Sequence, residues 1–252
     1  MVKDLNKKLI NACRNGRISA VLSLIERGAD IHGRNSYRWT PLHYACQYGH
    51  TDIALLLLNR GADINSRDSD RWTPLLCACQ EGHTDIALLL LDRGADIHCR
   101  DDSDGWTPLN HACQKGHTDI ALLLLNRGAD INCRNSCEWT PLHFACQEGH
   151  TDIALALVRA GANTLAKNKF DEAPLDCAES EEIKAALIRE REKYLAWTRR
   201  KAFMMFLVGY RYIAMRHHQP QAAAAADHGE EEPRVDRVMR MRDLNMTIAS
   251  FL

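Results

Sequence analysis

WTPLHYACQYGHTDIALLLLNRGAD occupies residues 39–63, and it returns almost unchanged at 72–96, 106–130 and 139–163. Its Thr-Pro pairs begin at Thr40, Thr73, Thr107 and Thr140, spacings of 33, 34 and 33 residues. A fixed period of that size is the mark of a stacked repeat architecture. Stacked repeats expose long continuous surfaces, so the period alone points to a chain that holds a partner.

One copy can be read residue by residue. Thr40 suits a helix N-cap, where its hydroxyl accepts from an otherwise unpaired backbone amide. Pro41 follows at the first helical position, where a missing N–H does no harm. Leu42, Ala45 and Cys46 then share one face of a short helix that ends near Gly49. Thr51 and Asp52 open a second helix, with the carboxylate at the positive end of its dipole. Ile53, Ala54, Leu55, Leu56, Leu57 and Leu58 leave that helix apolar nearly all round, so it must be covered by its neighbours. Gly61 fits a left-handed C-cap. A polar connector, Ala62–Arg71, leads to the next copy. A single unit cannot bury these leucines, so several must stack.

The copies read TPLHYACQYGH, TPLLCACQEGH, TPLNHACQKGH and TPLHFACQEGH, each followed by Gly-Ala-Asp or Gly-Ala-Asn. This pattern resembles the ankyrin repeat. The resemblance implies an all-α solenoid of about six helix-turn-helix units with a C-terminal helical extension. It divides the chain into an N-terminal capping repeat at 1–36, four near-identical repeats at 37–169 and a degenerate C-terminal repeat or cap at 170–200. After these come the continuation of a basic amphipathic helix at 201–218, an Ala/Glu-rich linker at 219–235 and a short amphipathic helix at 236–252. The resemblance also gives the motif histidine, His43 and His143, the role of a clamp between the Thr and the connecting loop. Leu76 and Asn110 stand in its place in the middle copies, which should loosen them, with Asn110 a partial substitute. Where the family places Gly before the Trp, this chain keeps only Gly105. Arg38, Arg71 and Glu138 take its place and are expected at positive φ. One residue is inserted around Asp101–Ser103.

Composition bounds the function. Residues 1–180 carry 19 Lys+Arg and 23 Asp+Glu, 181–216 carry 9 and 4, and 217–252 carry 4 and 6. The repeats are thus mildly acidic and only the following helix is basic, which gives no footprint for nucleic acid. No apolar run reaches the roughly 18 residues of a membrane span, and the N-terminus lacks an apolar signal core. Cys13, Cys46, Cys79, Cys113 and Cys146 recur at one place in the period and read as small buried hydrophobes in a reducing compartment. The expected location is therefore intracellular, cytoplasmic and/or nuclear. His50, His83, His117 and His150 also recur once per unit. Equivalent atoms in such a stack lie about 10 Å apart, far beyond a ~2 Å zinc bond, so no metal, no cofactor and no catalytic residue is expected. Cys77 and Cys79 fall on different faces of one helix. No phosphate-cradling loop or nucleophile elbow is present.

In ankyrin-like arrays the loop tips and the first helices form a groove, and positions that differ between otherwise identical copies should line it. The tips differ at Tyr37, Asp70, Asp104 and Cys137, and the ends of the first helices at Tyr48, Glu81, Lys115 and Glu148. The second helices hardly differ. Trp39, Trp72, Trp106 and Trp139 sit just before each Thr. They are either a row of contact anchors or packing that holds the stack. Arg60, Arg93 and Arg127 either line an edge of the groove or complement a helix dipole. Partner binding is assigned to Tyr37, Trp39, Tyr48, Asp70, Trp72, Glu81, Asp104, Trp106, Lys115, Trp139 and Glu148.

The function expected is a non-catalytic scaffold for another protein, monomeric, with no nucleic acid, small-molecule substrate or membrane contact. Two alternatives arise from the C-terminal part. Asp243–Leu252 resembles the leading segment of an F-box, which would make the chain a ubiquitin-ligase substrate adaptor. The basic helix 184–216 could instead rest on an anionic membrane.

Overall fold

The computed structural model describes residues 2–217, all helix, turn and loop, with no strand among the described residues. Each repeat starts at a Thr in extended backbone. Thr40 sits at φ −95°, ψ 166° and caps α3 (Pro41–Gln47). Thr73, Thr107 and Thr140 likewise precede α5 (Pro74–Glu81), α7 (Pro108–Lys115) and α9 (Pro141–Gln147). Glycine ends the turn in each: Gly49, Gly82, Gly116 and Gly149 adopt φ of +75 to +83°. The chain then reverses into α4 (Thr51–Asn59), α6 (Thr84–Asp92), α8 (Thr118–Asn126) and α10 (Thr151–Arg159). The N-terminal unit, α1 (Val2–Arg14) and α2 (Ile18–Glu26), has the same form.

First helices pack on first helices in the order α1, α3, α5, α7, α9, and second helices follow beside them from α2 to α10. The core between the two layers is one continuous column. Leu42, Leu75, Leu109 and Leu142 fill it from the first layer, and Ile53, Ile86, Ile120 and Ile153 from the second, all at most 1% exposed. Neighbouring units do not cover the second helices completely. Leu55, Leu88 and Leu122 stay 37–40% exposed, because a helix flanked by two neighbours and backed by the first layer still has an outward edge.

The sixth and last unit has lost its first helix. Ala173–Asp176 forms only a turn, closed by the Ala173 amide donating to Asp176 Oδ2 at 2.9 Å. The long helix α11 (Glu181–His217) starts directly after it. Its first turns cover the end of the stack. Leu187 is 2% exposed, Glu190 accepts from Arg159 Nε at 2.7 Å, and Tyr194 Oη lies 2.7 Å from where a Cβ on Gly161 would be. Beyond Tyr194 most side chains up to Ala202 are exposed, Trp197 at 55%. No helix among the described residues is long and apolar enough to cross a membrane. The linker at 219–235 and the short helix at 236–252 lie outside the described residues.

Candidate partner-binding face

The finger-like connectors are built on one Asx residue each. Asn35 Oδ1 accepts from the amides of Tyr37 and Trp39, both at 2.9 Å, while its own amide donates to the Trp39 carbonyl at 3.0 Å. Asp68, Asn135 and Asn168 repeat this arrangement at their own tips. In the lengthened third finger Asp101 reaches Trp106, one residue further on. These five residues were not singled out from the sequence. The signal was there, since they recur at spacings of 33, 33, 34 and 33. The pin forces the tip into a tight turn, and the residue before each Trp goes left-handed: Arg38, Arg71 and Glu138 lie at φ 63°, 59° and 62°, as expected, and Gly105 at 70°.

Adjacent tips are joined through the backbone. The amides of Ser69, Asp102, Ser136 and Lys169 donate to the carbonyls of Tyr37, Asp70, Asp104 and Cys137. Every residue that accepts in this ladder is one whose side chain varies between copies. The backbone is thus fixed while the side chain is free to differ.

Each Trp is half-buried against the core. Trp39 Nε1 donates to Asp68 Oδ2 of the next finger at 2.7 Å. The rings form an aromatic column: Trp39 against Tyr44 at 5.0 Å, Trp72 and Trp106 on either side of His111 at 4.9 and 5.0 Å, and Trp139 against Phe144 at 5.2 Å. His111, buried at 5%, has Nε2 at 3.4 Å from Asp101 Oδ2.

The histidines have defined structural partners. His43 Nδ1 lies 3.2 Å from the Thr40 amide, from which it accepts, so the ring carries its proton on Nε2 and donates to the Trp72 carbonyl at 3.0 Å. His143 does the same between Thr140 and the Glu172 carbonyl. Burial holds both imidazoles below the usual histidine value, against the opposing pull of those carbonyls. Asn110 replaces half of the clamp. Its Oδ1 accepts from the Thr107 amide at 3.0 Å, but its buried Nδ2 has no partner. Leu76, wholly buried, has no polar arm to reach with. His50, His83, His117 and His150 instead reach back to carbonyls of the preceding unit, those of Arg14, Gln47, Gln80 and Gln114, at 2.9–3.2 Å. Each ring stands against a glycine of that unit, where a Cβ would come within 2.5–2.7 Å. Asp52, Asp85, Asp119 and Asp152 follow these histidines within the first helical turn, at the positive end of the helix dipole as expected.

The cysteines are apolar filling. Burial pushes the thiols of Cys13, Cys99 and Cys146 up to about 12, and those of Cys77, Cys79 and Cys113 well above their ordinary value. Among the described residues no three His, Cys, Asp or Glu side chains gather as a metal site.

The candidate residues divide in two. Tyr37, Tyr48, Asp70, Glu81, Asp104, Lys115 and Glu148 are exposed, on tips and first-helix ends, and the four Trp are half-buried behind the tips. Phe170, 67% exposed, occupies the same tip position in the fifth finger and was missed. Counting the period onward from Cys137 finds it. The arginines at the ends of the second helices tie those helices together: Arg93 to Asn59 at 3.1 Å and Arg127 to Asp92 at 2.6 Å.

A family model described as ankyrin repeats in three copies matches residues 9–101, 67–135, 95–168 and 124–188, which together run from 9 to 188. The chain belongs to the ankyrin-repeat family. Proteins of this family are protein–protein interaction modules in general and typically non-enzymatic. No curated protein matches the chain.

Proposed function

We propose that this protein is a non-catalytic scaffold that holds another protein across its fingertips and first-helix ends. One observation carries the reading. On the tips and first-helix ends the copies differ at exposed side chains, Tyr37, Asp70 and Asp104 on the tips and Tyr48, Glu81, Lys115 and Glu148 on the helices, over a tip backbone that the copies pin and ladder alike. A tip backbone already locked by its Asx pin and ladder loses little entropy on binding. The test is a pull-down from native cells with the wild type beside a Tyr37/Tyr48/Asp70/Glu81 alanine variant of unchanged helical content. Partners lost from the variant alone support the face; identical partner sets refute it.

A second reading has one observation in its favour. Leu195 and Trp197 are 40% and 55% exposed on α11, and Arg199, Arg200 and Lys201 follow them in sequence. Such a basic, apolar stretch suits an anionic membrane surface. Sedimentation with anionic vesicles checks it, and absence of salt-sensitive binding removes it. The ligase-adaptor alternative rests on residues 243–252, outside the described part.

A further inference from the structure

We infer that the third finger is fastened by a proton: His111, when protonated, clamps the Asx residue Asp101 and fixes the finger against the stack. Three departures from the other repeats meet at this place. The third finger carries the inserted residue around Asp101–Ser103. The repeat that begins with α7 has only half of the Thr clamp, because Asn110 stands where His43 and His143 do. And His111 takes the position held by Tyr44, Cys77 and Phe144 in the other copies.

The pins are supported differently as a result. Asp68 Oδ2, in the second finger, accepts from Trp39 Nε1 at 2.7 Å, and Asn35 Nδ2, in the first, donates to Tyr44 Oη at 2.9 Å. Asp101 Oδ1 accepts from the Trp106 amide at 2.9 Å. Its Oδ2 has no counterpart of the indole bond and faces His111 Nε2 at 3.4 Å, with the two side chains 1% and 7% exposed. That separation is long for a hydrogen bond. Burial acts to raise the Asp101 carboxyl, but His111, the Trp106 amide and Ser103 hold it below its ordinary value, so the group in place is the anion.

The surroundings of His111 suit a cation. Its ring lies between those of Trp72 and Trp106, with centroids 4.9 and 5.0 Å away, inside the ~6 Å over which an indole face attracts positive charge. Nδ1 is buried without a partner. The neutral imidazole therefore gains little here, whereas the imidazolium gains a carboxylate and two indoles, and relieves the cost of a buried anion. The other titratable groups near it are accounted for. α7 packs against α5, α8 and α9. On α5, Cys77 is fully buried with its thiol pushed well above its ordinary value, and Glu81 is exposed at the helix end. The buried residues of α8 are Ile120, Ala121 and Leu124. On α9, Phe144 holds the equivalent place, His143 is bonded to Thr140 and the Glu172 carbonyl, and Glu148 is exposed. Among the described residues Asp101 alone stands at ion-pair distance from His111.

Amide exchange in the full chain tests this, expressed as protection factors so that base catalysis is divided out, between roughly pH 7.5 and 5.5, where histidine changes its charge. The Trp106 and Asp104 amides, both bonded to Asp101, should gain protection several-fold as pH falls. The Trp39 amide, bonded to Asn35, should show no such gain. Asp101→Asn/His111→Phe installs the pair found in the repeat of α9, Asn135 with Phe144, and so keeps both a pin and an aromatic ring. In that variant the gain should vanish. His111→Phe alone should lower protection of the third finger at every pH, since the carboxylate then lies beside an apolar ring. Protection at Trp106 that does not rise with acid relative to the double variant overturns the inference, as does a rise that survives in it. The readout involves no partner, so failure of the proposed binding face would leave it untouched.

Discussion

Arg38, Arg71 and Glu138 hold a backbone conformation that costs an ordinary L-residue about 1 kcal/mol relative to glycine. They hold it because the Asx pin and the tip ladder over-determine the turn. Replacing any one of them by Gly should stabilise the chain by about 0.5–1 kcal/mol, read as a higher urea midpoint. Gly105→Ala, at φ 70°, should move it the other way. Asn110 makes the complementary case. A buried donor without a partner costs about 1–3 kcal/mol, and a histidine there would restore the second arm of the clamp. Asn110→His is expected to stabilise by about 1 kcal/mol, again by urea titration; a loss would mean that the site cannot admit the ring. The clamp histidines also set a pH response. His43 and His143 have lowered values when folded, so the unfolded chain binds protons more readily than the native one. Their contribution is fully present above the ordinary histidine value of about 6.5 and is lost as pH falls below it. The stability of the wild type should therefore fall between roughly pH 6.5 and 5 more steeply than that of His43→Leu/His143→Leu, which adopts the solution found at Leu76. Equal slopes would place the acid sensitivity elsewhere.

At the level of elements, the helices were legible because their causes are local: a Thr cap, a Pro after it, a Gly at the end, a run of apolar residues between. The continuation into α11 was legible too, as an end-cover for an apolar stack. Three things were not. The fingers take their shape from Asn35, Asp68, Asp101, Asn135 and Asn168, whose side-chain oxygens bond backbone amides two to five residues on; the sequence shows a polar loop and hides the pin. The outward edge of the second helices was unreadable, because an all-apolar helix does not say which side its neighbours leave bare. And Ala173-Pro174-Leu175-Asp176 carries the opening of a first helix without the residues to continue it. The proposed face was picked out by differences among the copies, yet whether each Trp faces a partner or the stack depends on ring positions that no spacing encodes. The cover at the end of the array yields a prediction. Leu187→Ala removes a side chain that is 2% exposed and should cost about 2–4 kcal/mol. In a stack held by neighbour contacts the loss should appear first in the last repeat. Hydrogen exchange should quicken in α9 and α10 and leave α3 and α4 nearly unchanged; uniform quickening would mean the array unfolds as one unit.

Across the whole array the clamps are unevenly placed, and this bears on how the face meets a partner. His43 ties its unit to the second finger through the Trp72 carbonyl, and His143 ties the fourth unit to the fifth finger through the Glu172 carbonyl. Between them Leu76 and Asn110 make no such link, so the third and fourth fingers depend on the backbone ladder, the Asx pins and Arg100, which donates to the Gly105 and Arg134 carbonyls at 2.7 Å. Opening free energies within one structure vary with such local support. The ladder amides should divide accordingly: Asp102 and Ser136, in the middle, exchanging faster than Ser69 and Lys169 at the clamped ends. Those middle fingers carry Asp104, while Tyr37 stands on the first finger, whose tip is bonded to the clamped second finger through Ser69, and Tyr48 ends α3 nearby. A partner would then find a rigid anchor at one end and an adjustable centre. Leu76→His/Asn110→His tests the link between the two. It should slow exchange at Asp102 and Ser136 and leave Ser69 unchanged. It should also raise affinity if the centre must be ordered for binding, because that ordering no longer has to be supplied by the partner. If exchange slows and affinity falls, the looseness of the central fingers is itself what lets the partner seat.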